Sequence, residues 1–258
     1  MDDAIARARP ENMSPTEWSL RLELAACYRL FDRLGWTTQI YNHISVRVPG
    51  PEACFLINPF GLNYDEVTAR NLLKIDLDGR KVEPSPYPVN AAGFVIHSAI
   101  HAARHDAHCI AHTHTTAGMA VACKRDGLRH DNFNSALLYG RVAYHDFEGV
   151  TTDVAEKPRL VASLGDKPVL ILRSHGLLVV GGSVPEMYAT LSTLQKACEV
   201  QMATDAMAGP GLPIGAAVLA AIPAQNAALA RGDARPGQLV FDAALRRAGV
   251  RLADLIGP

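Results

Sequence analysis

The sequence predicts one mixed α/β (α+β) domain with an antiparallel sheet. Three observations lead there. Segments with helical spacing of apolar residues bracket two runs of short strand-like segments, in the order helix, strands, helix, strands, helix. Two strands end in tight-turn signals, Pro49-Gly50 and Asp78-Gly79, as chain reversals between antiparallel neighbours do. The length of 258 residues is enough for one large core.

The elements follow in order. Residues 1–13 read as an N-terminal arm. Ser14 is placed as an N-cap, with Pro15 at the first helical position and Glu17 set for a capping box. Trp18, Leu22, Ala25, Ala26 and Phe31 then recur at helical spacing until Gly35, and Trp18 is assigned to packing. Ile44, Val46 and Val48 alternate with Ser45 and Arg47, the pattern of a half-buried strand. Phe55-Leu56-Ile57 and Leu73-Lys74-Ile75-Asp76-Leu77 are the next strands, and Pro84, Pro86 and Pro88 keep the following segment irregular.

A helix is expected from about Ala91 to Arg104. It carries His97 and His101 on one face as an i,i+4 pair, a spacing that could bind a metal but is read here as an inward packing residue and a solvent-facing one. Cys109-Ile110-Ala111 leads a further strand, Thr116–Cys123 a helix and Val169–Leu172 a buried strand. Ser183, Pro185 and Glu186 open another capped helix. Its stripe of Met187, Leu191, Leu194, Cys198 and Met202 fits a core or a subunit interface. A loop over 206–213 and one or two short Ala-rich helices complete the chain. The expected division is an arm (1–13), a main domain (14–205) and a C-terminal extension (206–258) packed on the domain or a neighbouring subunit.

Composition narrows the function classes. Apolar residues make up 48% of the chain, charged residues 20%, and the net charge is −1, which favours neither a nucleic-acid nor a membrane surface. No apolar run reaches bilayer length, and the N-terminus lacks the basic-then-apolar pattern of a signal peptide. The five cysteines form no Cys-x-x-Cys pair, so reduced, mostly buried thiols in a cytoplasmic protein are expected.

Two stretches carry chemistry: Cys109-Ile110-Ala111-His112-Thr113-His114 and Leu170-Ile171-Leu172-Arg173-Ser174-His175-Gly176. A His-x-His pair on a strand puts two imidazoles on one face, and a third histidine closing another apolar run could join them. Three such ligands with an open position would make a catalytic metal site. The same spacing also fits separate packed or surface histidines. Tyr144, His145 and Glu148 are further polar candidates that equally suit a surface.

With Asn42-His43-Ile44-Ser45-Val46-Arg47, Ile57-Asn58-Pro59-Phe60-Gly61, Ile75-Asp76-Leu77-Asp78-Gly79, His112-Thr113-His114 and His175-Gly176, residues 15–205 resemble the class II aldolase/adducin family, in particular its bacterial adducin-head-like group. The resemblance implies a three-layer α/β/α sandwich around a mostly antiparallel sheet and a cyclic homotetramer with sites at subunit interfaces. It implies a divalent metal on His112, His114 and His175, most often zinc, with manganese or iron as alternatives. It also implies a small-molecule substrate in a pocket that includes Asn42, Asn58, Phe60 and Asn90.

The departures are equally specific. Sugar-phosphate members carry Thr-Pro-Ser-Gly where this chain has Asn58-Pro59-Phe60-Gly61, and Ser-Ser-Glu (or Asp) where it has Ala91-Ala92-Gly93. Three hydroxyl positions become Phe60, Ala91 and Ala92, so a phosphate loses hydrogen bonds and meets an apolar ring. Gly93 removes the usual carboxylate. The expectation is therefore a metal-dependent lyase acting on a small non-phosphorylated hydroxy, keto or aromatic carboxylate, by aldol-type cleavage or decarboxylation. His43, Tyr144, His145 and Glu148 are the candidate acid/base groups. A mononuclear iron oxygenase and a non-catalytic adducin-like interaction protein with a structural metal are the rival expectations.

Overall fold

The computed structural model describes residues 7–151, 153–230 and 235–257. Its strands are β1 (His43–Val48), β2 (Cys54–Ile57), β3 (Leu73–Asp76), β4 (Cys109–Thr113), β5 (Val142–His145), β6 (Val169–Leu172) and β7 (Gly176–Gly181). They form one sheet in the order β3-β2-β1-β4-β7-β6-β5, antiparallel throughout except for the β5–β6 pair.

Helices cover both faces. The helices are α1 (Pro15–Arg33), α2 (Ala91–Ala103), α3 (Thr116–Ala122), α4 (Phe133–Ala136), α5 (Lys157–Leu164), α6 (Val184–Asp205), α7 (Ala216–Ala230), α8 (Gln238–Ala248) and α9 (Leu252–Ile256). One core joins α1, α3 and α6 to the sheet through residues such as Tyr28, Phe31, Val121, Leu191 and Leu194. The opposite core sets Ile96 and Ile100 of α2 and Leu160 and Leu164 of α5 against Ile110, Leu170 and Leu178. The result is a three-layer α/β/α sandwich. Strand alternation assigns the faces: Cys109 and Ala111 enter the first core and Ile110 the second, so His112 points to the α2 side. In register with β4, His43 and Ser45 share that side.

Helix α1 begins as its sequence suggests, with the Ser14 hydroxyl accepting the Glu17 N–H. The Glu17 carboxylate goes instead to a buried ion network. Arg21 donates to Glu17 at 2.8 Å and to Glu83 at 2.6 Å, and Lys74 reaches Glu17 at 2.9 Å. Trp18 lies in the core.

Helix α2 starts on Asn90, whose Oδ1 accepts the Gly93 N–H. The expectation that His101 meets solvent is corrected: both His97 and His101 are buried. The helix lies against the sheet, the Arg47 guanidinium donates to the His101 carbonyl, and the His101 ring is hydrogen-bonded to Ser45 and Ala107. Beyond α6 the chain forms more helix than expected. Phe241 of α8 and Leu255 of α9 are buried in the first core, and the Ala69 N–H donates to the Leu255 carbonyl. Of the expected arm, residues 1–6 lie outside the described residues, while Ala8 and Met13 pack against that core.

Candidate metal centre

The three motif histidines converge at one end of β4 and β7. His112 is the penultimate residue of β4, and His114 follows the strand end, where the Thr38 hydroxyl donates to its carbonyl. Thr115 then caps α3, its Oγ1 accepting the Gly118 N–H, so the chain turns directly from ligand strand to helix. His175 sits in the β6–β7 hairpin. It is preceded by Ser174 at φ +56°, a left-handed conformation in which non-glycine residues are uncommon. The Ser174 N–H donates to the Ala122 carbonyl and holds this turn against the end of α3. Gly176 is required by crowding: a Cβ there would lie 2.4 Å from the Thr113 carbonyl oxygen and 3.0 Å from the His114 ring.

The rings are 4.5–4.8 Å apart between centroids, and one nitrogen from each of His112, His114 and His175 lies within 4.8 Å of the others. His112 Nδ1 donates to the Leu177 carbonyl at 2.9 Å, which leaves its Nε2 with a lone pair. That Nε2 faces the Nε2 of His114 at 2.6 Å.

Burial holds the His112 imidazole well below its ordinary pKa, and its histidine neighbours add to the effect. Burial and then His175 bring His114 down to about 4, and burial also lowers His175. In each case burial favours the neutral ring, the form in which imidazole binds a cation. Three imidazole nitrogen donors from the end of β4 and the neighbouring hairpin, one with its tautomer set by a backbone carbonyl, fit a divalent metal. The cluster can coordinate such an ion.

The cluster lies in a cavity of about 640 Å³, within the usual range for a small-molecule site. The walls include Tyr41, Phe60, Val89, Ile96, Phe147 and Val150, with His43, Asn90 and Thr151 as polar members. Among the described residues that line it there is no Lys, Arg, Asp or Glu. His43 packs against Gly93, where a Cβ would come within 2.7 Å of the imidazole Cδ2, so the ring occupies the room a side chain at 93 would need.

The site residues expected from the sequence separate in space. His43, Phe60 and Asn90 line the cavity with the three metal-type histidines. Asn42 is buried with its Oδ1 accepting the Thr38 N–H, and Asn58 is buried against the Tyr28 hydroxyl; neither lines the cavity. Tyr144 packs against the first core, where its hydroxyl accepts the Leu128 N–H and its ring lies under Arg173. His145 is hydrogen-bonded to Ser163 and Glu156, and Glu148 is paired with Arg159. Tyr41, Phe147 and Val150 had no sequence signal, since single aromatic or apolar residues in loops carry no periodicity. A signal did exist for His97 and His101, in their i,i+4 spacing.

Residues 22–202 match the family model described as Class II Aldolase and Adducin N-terminal domain. The crystal structure of an aldolase II superfamily protein from Pseudomonas syringae is 45% identical, with a TM-score of 0.86 over 92% of this chain and 95% of that one. An L-fuculose 1-phosphate aldolase from Glaciozyma antarctica is 29% identical, with a TM-score of 0.78 over 95% of each chain. Rat alpha-adducin is 48% identical over 80% of this chain, which corresponds to 28% of the adducin.

Proposed function

The chain belongs to the class II aldolase and adducin N-terminal domain family, and from that premise we propose that it is a divalent-metal-dependent carbon–carbon lyase. Its substrate is a small non-phosphorylated hydroxy, keto or aromatic carboxylate, cleaved in an aldol-type step or decarboxylated. The observation that carries this reading is the combination of three converging imidazoles with an apolar cavity that no described cationic side chain lines. The Glaciozyma relative is named for a sugar-phosphate substrate. A phosphate dianion in the present cavity would be desolvated against Phe60, Val89 and Ile96, with no Arg or Lys among the described lining residues to pair with it. The same walls suit an aromatic or short aliphatic body.

His112, His114 and His175 would hold the ion, with zinc as the proposed metal and manganese or iron as alternatives. When bound, such an ion supplies Lewis-acid polarisation of a carbonyl or hydroxyl oxygen. The rest is the work of the chain's own side chains. Leu177 fixes the His112 ring through its carbonyl. Phe147 and Val150 border the cavity and add apolar surface at its mouth. His43 is the acid/base group favoured here, because Tyr144, His145 and Glu148 do not line the cavity.

Phe147 and Val150 are also mostly exposed at the cavity mouth, an apolar surface that a second copy of the chain would cover, and this supports a homo-oligomer, proposed as a tetramer. The unpaired cysteines support a cytoplasmic location. No helix among the described residues is long and apolar enough to cross a membrane.

The test is metal identification in the purified protein, followed by turnover of hydroxy acids and aromatic carboxylates with and without oxygen. Metal-dependent, oxygen-independent release of a carbonyl fragment or carbon dioxide is the expected result. Strict oxygen dependence would favour an oxygenase. The likeness to alpha-adducin favours an interaction role as the second reading, and protein that binds no divalent metal would select it.

A further inference from the structure

Behind His43 runs a chain of buried side chains that the metal cluster does not use. His43 Nδ1 lies 2.8 Å from His97 Nε2, and His97 Nδ1 lies 2.5 Å from the Ser45 hydroxyl. The same hydroxyl is 2.8 Å from His101 Nε2, and His101 Nδ1 is 3.1 Å from the Ala107 carbonyl oxygen. All four side chains are buried. The chain spans β1 and α2, and it ends on a backbone carbonyl inside the protein.

That end dictates the direction of every bond. A carbonyl oxygen only accepts, so His101 carries its proton on Nδ1 and its Nε2 is an acceptor. Ser45 has one proton, which it donates to His101, so its oxygen accepts from His97 Nδ1. His97 Nε2 is then the acceptor for His43 Nδ1–H. The only polar ring atom left on His43 is Nε2, which in the neutral ring carries no proton, on a residue that lines the cavity. Burial disfavours a second proton on His97 or His101, which keeps each a one-proton link. Because the chain stops at Ala107 rather than at solvent or an ionisable group, it sets a tautomer and does not conduct protons.

Building on the assignment of His43 as the acid/base group, we infer that Ser45, His97 and His101 are positioning residues that lock His43 in its Nδ1–H tautomer and present a bare Nε2 to the bound substrate. In free neutral imidazole either nitrogen can hold the proton, and the partner of one nitrogen decides the state of the other. Locked in this way, His43 Nε2 accepts a proton from a substrate hydroxyl without first exchanging tautomers. It cannot donate one until it has been charged.

Two measurements test the lock, both on the whole protein without substrate. Neutron diffraction from crystals of the wild-type protein should show hydrogen on Nδ1 of His43, His97 and His101 and none on His43 Nε2. Hydrogen on His43 Nε2 would overturn the inference. In 15N-histidine-labelled protein, long-range nitrogen–proton correlations should report a single His43 tautomer. The Ser45→Ala variant should convert it to a mixture of both, and Ser45→Thr, which restores a hydroxyl, should return the single form. A His43 spectrum unchanged in Ser45→Ala would also overturn it. If Ser45→Ala does not fold, the wild-type neutron map still decides. Since neither readout needs turnover, an intact lock in a protein without lyase activity would refute the functional reading alone. A reversed tautomer in an active enzyme would refute only the lock.

Discussion

Replacing His101 with Gln should flatten the acid side of the stability profile. Burial, followed by the nearby Arg47 charge, lowers the His101 pKa from 6.5 to about 3. The unfolded chain takes up this proton near pH 6.5, whereas the folded chain refuses it until about pH 3. The contribution of His101 is therefore constant above pH 6.5 and is lost as pH falls, by about 1.4 kcal/mol per pH unit in the steep range. Between pH 7 and pH 5 the loss from this one group is about 2 kcal/mol. The hydrogen-bond pattern supplies the mechanism: a proton on His101 Nε2 would confront the Ser45 hydroxyl, whose oxygen already serves His97. Gln can still donate to Ala107 and accept from Ser45, but it cannot titrate. The assay is urea unfolding of chelator-treated protein at pH 7 and pH 5, with free energies extrapolated to water. Wild type should lose about 2 kcal/mol more than His101→Gln over that interval. Equal losses in the two proteins would refute the reasoning.

Three other outcomes are expected. His114→Ala should remove stoichiometric divalent metal by elemental analysis, and full occupancy of the native site in the variant would sink the three-histidine assignment. Gly93→Ala should lower stability to urea by about 1–3 kcal/mol through overpacking, because the new methyl meets a His43 ring that His97 holds in place; unchanged or higher stability would mean the ring gives way freely. Arg21→Met should cost about 3–5 kcal/mol by leaving Glu17 buried beside a single remaining cation, Lys74; a loss below about 1 kcal/mol by urea unfolding would show that water reaches the carboxylate.

Much of the fold was legible because its signals are local. Ser14, Pro15 and Gly35 mark the bounds of α1, and the alternation of Ile44, Val46 and Val48 marks β1. The His-x-His spacing and the histidine that closes the Leu170–Leu172 run pointed to the cluster, since β4 and β7 are adjacent antiparallel strands that bring both stretches to one end. The stretch between Cys123 and Val169 was less legible. There β5 pairs in parallel with β6, and its Tyr144 is held by Leu128 and Arg173, partners that no short-range pattern announces.

By itself the sequence determined the mixed α/β class, the Ser14 and Ser183 helix caps, the alternation of β1 and the spacing of the histidines, because each follows from the chemistry of a few consecutive residues. Only the tertiary structure decided which histidines meet. His97 and His101 share a helix face, yet it is the register of β1 against β4 and the packing of α2 over it that inserts Ser45 between them and places His43 over Gly93. The physical reason is that a hydrogen-bond chain acquires its direction from its terminal acceptor. Here that acceptor is the Ala107 carbonyl, whose place beside His101 is set by the fold and by no property of Ala107 as a residue type.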